Sequence, residues 1–139
     1  MKKAFSRPIV IIVIVLLLSA VLVTSVGADR DPFRGSWTAT DIDGSSMFMN
    51  IGGGGGMYRL FLYDDGGTVC NAADPFEFAA SARGMGSASG ANSISGSWDV
   101  VVCYYSPAEV VLEDVPFSFT YLPGADQLTE PSGVVWSRR

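Results

Sequence analysis

Histidine is absent from the 139 residues, cysteine occurs twice, and lysine occurs only at positions 2 and 3. Without histidine, the Ser-His and Cys-His nucleophile pairs and the His-ligated zinc sites are excluded, and two cysteines cannot build a four-thiolate zinc site. Basic charge is also scarce. Beyond residue 28 the bases are six arginines, Arg30, Arg34, Arg59, Arg83, Arg138 and Arg139, against all fourteen carboxylates of the chain, a formal net charge of −8. A lysine-free surface this acidic cannot neutralise a run of phosphates, so nucleic acid and anionic lipid are poor partners. Helical periodicity is missing after residue 28 as well. The alanine-rich segment 79–91 comes nearest, but Gly84, Gly86 and Gly90 with Ser81, Ser87 and Ser89 argue for strand and loop.

Acid–base catalysis would have to rest on Asp, Glu or Tyr. Glu77, Glu109 and Glu113 each lie in an alternating segment where an outward carboxylate is ordinary, and nothing in the spacing pairs them across a cleft. The expectation is a protein that is not an enzyme and uses no cofactor. The glycine run at 52–56 fails as a phosphate cradle, because Met57-Tyr58 follows where Gly-Lys-Ser/Thr and a helix are required. The acidic turns carrying Asp41, Asp43, Asp64 and Asp65 do not form a helical calcium loop. Ser46 stands where the loop glycine belongs and Gly52 where the bidentate glutamate belongs; Asx turns explain these residues, and no metal is expected.

What is present begins with a basic start at residues 1–7, an apolar run at 9–26 and small residues at Val26-Gly27-Ala28. That layout predicts a secretory signal over residues 1–28, cleaved before Asp29. The eighteen-residue run would span roughly 27 Å as a helix, so an uncleaved N-terminal anchor is the alternative, and the only membrane contact expected is through 9–26. Either way residues 29–139 lie outside the cytoplasmic membrane, as one domain. In that oxidising setting Cys70 and Cys103 are expected to form a disulfide, whose loop closure stabilises by about 3–4 kcal/mol.

From Ser36 onward apolar residues alternate: Trp37 and Ala39, then Met47, Met49 and Ile51, then Tyr58, Leu60 and Leu62. Asp43-Gly44, the glycines at 52–56, the turn at 64–67, Pro107 and Pro123-Gly124 punctuate these runs. The pattern predicts strands near 35–42, 46–51, 57–64, 76–83, 93–104, 109–112, 115–121 and 133–138, with a short extra strand at 126–129. Residues 84–97, rich in Gly, Ser and Ala, read as a flexible stretch within the domain. Residues 29–34 read as a polar lead-in. The fold class is all-β: a small antiparallel up-and-down barrel or strongly curled meander of about eight strands. Aromatics recur on nearly every strand and either fill the interior or line a pocket.

Gly35-Ser36-Trp37 at the start of the first strand resembles the G-x-W signature that opens lipocalin and other calycin barrels. Arg138, near the end of the last strand, stands where those families place an arginine over that tryptophan. The resemblance covers these residues; the middle motif of lipocalins is not recognisable, and residues 29–139 are nearer in number to an avidin-like barrel. It implies that Trp37 and Arg138 are a structural pair closing one end. It further implies an open mouth lined by residues such as Trp98, Phe117 and Phe119, holding a small apolar or aromatic ligand. The competing expectation is a solid-cored extracellular domain with no pocket, whose function lies on exposed loops such as 52–56.

Overall fold

A computed structural model describes residues 30–70, 78–104 and 108–139. The expected signal or anchor at 1–28, and Phe76, Glu77, Tyr105 and Pro107, lie outside the described residues. The strands are β1 (Gly35–Thr40), β2 (Ser46–Gly54), β3 (Met57–Asp64), β4 (Ala80–Gly90), β5 (Ser93–Cys103), β6 (Glu109–Leu122), β7 (Gln127–Thr129) and β8 (Val135–Arg138). Each pairs antiparallel with the next, and β8 returns to β1 through Trp37↔Arg138 and Thr38↔Ser137, closing an up-and-down barrel in sequence order. Closure leaves no long unpaired edge on β1, which is how a small sheet avoids edge-to-edge association.

The alternation that marks the strands also sets their inner face. Trp37, Met49, Ile51, Tyr58 and Leu60 are all buried, and with Ile94, Phe119, Leu128 and Trp136 they form one core inside the barrel. The β2–β3 connection is a two-residue turn in which Gly55 and Gly56 have φ of 63° and 85°. Two successive positive φ values match the right-handed twist of the flanking strands, and glycine takes them without steric cost.

Three expectations are corrected. The segment from residue 84 is ordered strand and not a flexible stretch: β4 runs to Gly90 and pairs with β5 almost throughout, with Gly84 and Gly86 buried on the inner face of the barrel. The two strands expected at 109–112 and 115–121 are one, since Asp114 takes a φ of 55°, a value an Asp tolerates, and the ladder with β5 continues past it. The lead-in is not merely polar. Phe33 is 1% exposed and plugs the barrel, its ring edge-on to Tyr58 at 5.3 Å and to Tyr121 at 6.4 Å.

Consecutive hairpins place their turns at alternate ends. One end carries the turns at 55–56, 91–92 and 123–126 together with the lead-in, and Phe33 closes it. The other carries the turns at 41–45 and 130–134 and the connection after β3, which begins with a short 3₁₀ turn at Thr68–Cys70. Cys70 is disulfide-bonded to Cys103 at the end of β5, with Cα atoms 5.6 Å apart.

Candidate functional site

At the closed end every polar group of Arg138 is engaged. Its Nε donates to both carboxylate oxygens of Asp126 at 2.9 Å, Nη1 to the Arg34 carbonyl at 2.6 Å and Nη2 to the Pro32 carbonyl at 2.8 Å. The same guanidinium lies over the Trp37 ring, whose Nε1 donates to the Phe33 carbonyl at 2.9 Å. Asp31 holds the lead-in by accepting from the backbone N–H groups of Phe33 and Arg34 and from the Tyr58 hydroxyl. The closed end is therefore a structural assembly, with its donors satisfied and its apolar rings in contact.

The opposite end is not filled. A cleft of about 750 Å³ opens there, with Met47, Leu62, Trp98, Phe117, Phe119 and Val134 among its lining. An adjoining recess of about 300 Å³ shares Leu62, Thr68, Val69 and Trp98 with it. The three aromatics expected at a mouth are thus brought together. Trp98 and Phe117 have ring centroids 4.7 Å apart and Phe117 and Phe119 5.4 Å apart, and Phe119 meets Trp136 edge-on at 6.4 Å. Phe119 is buried and lines the cleft, with Trp136 packed against it, while Trp98 and Phe117 line the cleft and are only partly buried.

Two features of the chain create this space. On β4 the buried inner positions are Ala80, Ala82, Gly84 and Gly86; the two alanines line the recess with little side-chain volume, while the β5 backbone covers Gly84 and Phe117 covers Gly86. A Cβ on Gly86 would stand 3.0 Å from Phe117 Cζ and 3.1 Å from Ile94 Cγ1; glycine there is what lets the aromatic row lie flat across the interior. The second feature is the mismatch of strand lengths. β6 pairs with β5 along its length, but with β7 only over Thr120–Leu122, so the wall is missing between the upper part of β6 and the turn at 130–134. Pro116 on that free edge has no N–H to offer a further strand.

A β-bulge sets the depth of Trp98. Arg83 pairs with Val100 and Gly84 with Trp98, which leaves Asp99 as an extra residue in β5. The alternation changes phase there, so Trp98, Val101 and Cys103 all face inward, and both Trp98 and Val101 line the recess. The disulfide then fastens the 3₁₀ turn, with Thr68 and Val69, over the mouth.

The charged groups at the mouth are acidic. Asp41 and Glu130 line the cleft and Asp64 lines the recess; no arginine lines either among the described residues. Glu130 accepts from Trp136 Nε1 at 2.6 Å and from the Ser132 hydroxyl at 3.3 Å. Burial nevertheless holds its carboxyl above the usual range, and the Asp41 charge pushes it the same way. Asp64 is raised by burial too, with Asp41 and Asp43 adding to the shift, although it accepts from the Ser45 hydroxyl at 2.8 Å and the Gly66 N–H at 3.1 Å. Asp43 and Asp64 act as Asx residues, accepting from the N–H groups two positions on, Ser45 and Gly66, whereas Asp41 accepts from the Ile42 N–H and Asp65 from the Ser46 N–H across the sheet. Glu109 and Glu113 are exposed on β6 and outside the cleft. Sequence reasoning did not single out Glu130, whose Thr-Glu-Pro-Ser context reads as an ordinary turn.

No known relative decides the reading. No protein-family model gives a significant match to the chain, nor does any curated protein or any solved structure. The site must be argued from its own geometry.

Proposed function

We propose that the protein is an exported, non-catalytic β-barrel that binds a small ligand at its open mouth. The observation that carries this reading is the cleft of about 750 Å³ that ends on the Trp98–Phe117–Phe119 row. Small-molecule sites are concave, mostly apolar and within this range of volume, with a few polar groups at fixed places. Empty apolar space in a small core costs stability, so the alanines at 80 and 82, which border the recess without filling it, forgo burial that larger side chains would supply. Export is supported by the Cys70–Cys103 bridge together with the signal-like start of the sequence. The calycin likeness is supported by the Trp37–Arg138 stack between the first and last strands of a closed eight-stranded barrel.

The test uses a neutral fluorescent aromatic, 4-(1-naphthyl)butanol, titrated into the protein. Binding should be saturable at one per chain, quench Trp98 emission and raise the melting temperature in proportion to the logarithm of probe concentration. Phe117→Ala should weaken it by about tenfold, the loss of one stacked ring. Absence of saturable binding would favour a solid-cored domain acting through its loops.

A further inference from the structure

We propose that the ligand of this barrel is an organic cation with an aromatic or branched apolar body, held with its ammonium group at the carboxylate lip formed by Asp41 and Glu130. The inference rests on the ligand-binding reading above and adds the charge of the ligand to it.

The argument is one of complementarity. Asp41 comes from the β1–β2 turn and Glu130 from the β7–β8 turn, and both line the rim of one cleft whose floor is aromatic. Asp64, from the end of β3, stands in the adjoining recess. Among the described residues no arginine lines the cleft or the recess. Arg138 is committed to Asp126 and the lead-in carbonyls at the far end, and Arg59 and Arg83 lie together along a shallow depression that shares no lining residue with the mouth.

The mouth therefore presents negative charge beside low-dielectric walls, which concentrates cations and repels anions. Burial, with the charge of Asp41 added at both and that of Asp43 at Asp64, makes Glu130 and Asp64 reluctant to ionise, an electrostatic cost that a bound cation would relieve. Below the lip, Trp98 and Phe117 offer partly exposed ring faces, which attract a cation as well as its apolar body. A fatty acid, the same body with the opposite head, would bring its carboxylate to three others. An uncharged ligand would leave them unpaired.

A matched series separates this inference from the reading on which it rests. 4-(1-naphthyl)butylammonium, 4-(1-naphthyl)butanol and 4-(1-naphthyl)butanoate share one skeleton and differ in charge, and each is titrated into the intact protein at neutral pH. The ammonium compound should bind at least tenfold more tightly than the alcohol, and the carboxylate more weakly than both. Glu130→Gln keeps an acceptor for Trp136 Nε1 and Asp41→Asn keeps the turn's side-chain oxygen. Each should cut the ratio of ammonium to alcohol affinity at least fivefold. Glu113→Gln, which removes an exposed charge from β6 outside the cleft, should leave that ratio unchanged, so that a general attraction of cations to an acidic protein is distinguished from a site. Equal binding of all three compounds, or an equal loss in the Glu113 variant, would overturn the cation inference while leaving the cavity reading intact. If none of the three binds, both fall.

Discussion

The guanidinium carbon of Arg138 lies 4.1 Å from the centroid of the Trp37 ring, with the two residues directly paired across the β1–β8 seam. Gly35 makes room for this contact, because a Cβ there would stand 2.7 Å from Arg138 Nη1. The glycine two residues before the tryptophan thus has a steric cause. Closure of the barrel has been concentrated in a few side chains, since β8 meets β1 over two residue pairs only.

Trp37→Ala should therefore destabilise by about 3–5 kcal/mol, the cost of emptying a large buried aromatic site. Arg138→Ala should cost less, about 2–3 kcal/mol, from the lost cation–π contact and the carbonyls and Asp126 left without a partner. Urea denaturation measures both. Binding of 4-(1-naphthyl)butanol should be unchanged in Arg138→Ala, because the pair closes the end opposite the cleft. An Arg138→Ala variant as stable as the parent would count against this account of closure.

A second prediction concerns the flat inner wall. Gly86→Ala should press on Phe117 and Ile94, lowering stability by about 1 kcal/mol and weakening the naphthyl probe measurably. Gly90→Ala, on the same strand, has nothing within 4 Å of its new Cβ and should alter neither. Equal effects of the two substitutions would argue against glycine as the determinant of the cleft.

Cys70→Ser with Cys103→Ser should cost about 3–4 kcal/mol in unfolding free energy, because the bridge closes a loop of 33 residues' separation. Probe affinity should fall as well, since Thr68 and Val69 border the mouth and lose the covalent tie to the end of β5. Denaturation and titration of the same double variant separate the two effects, and a variant that loses stability but binds unchanged would detach the 3₁₀ turn from the site.

The pH dependence follows from the raised carboxyls. Glu130 and Asp64 hold a proton more tightly in the folded chain than in the unfolded one. Their contribution to stability is thus fully present below the ordinary carboxylate range and is lost as pH rises through the raised values. The melting temperature should rise as the protein is acidified from neutrality toward the ordinary carboxylate range, and Glu130→Gln should flatten that rise. Asp43, fully exposed, is lowered by its bonds to Ser45 and acts in the opposite direction, weakly. A melting temperature that falls steadily over the same interval would contradict the burial of Glu130.

Alternation alone determined a good deal. The inward residues of β1, β2 and β3 follow period two without interruption, and glycine-rich turns follow each run, so an all-β meander and its first three strands were legible from the chain. The Trp37–Arg138 stack and the Cys70–Cys103 bridge could also be inferred, because closing a meander pairs its ends and two cysteines allow one connectivity. Only the tertiary structure decided the rest. Phe33 carries no periodic signal, and becomes core because the lead-in folds across a barrel end that needs a plug. The small residues of β4 read as a flexible stretch by composition, and become a wall because Phe117 and Ile94 lie against Gly86 and the β5 backbone against Gly84. The bulge at Asp99 reverses the alternation by which inward residues are recognised. Asp41 and Glu130 lie far apart in the chain, in turns where carboxylates are ordinary, and share a cleft because alternate hairpins bring their turns to the same end. Local physics sets which way a side chain points on its strand; which distant side chains meet depends on register and closure, and these are properties of the whole sheet.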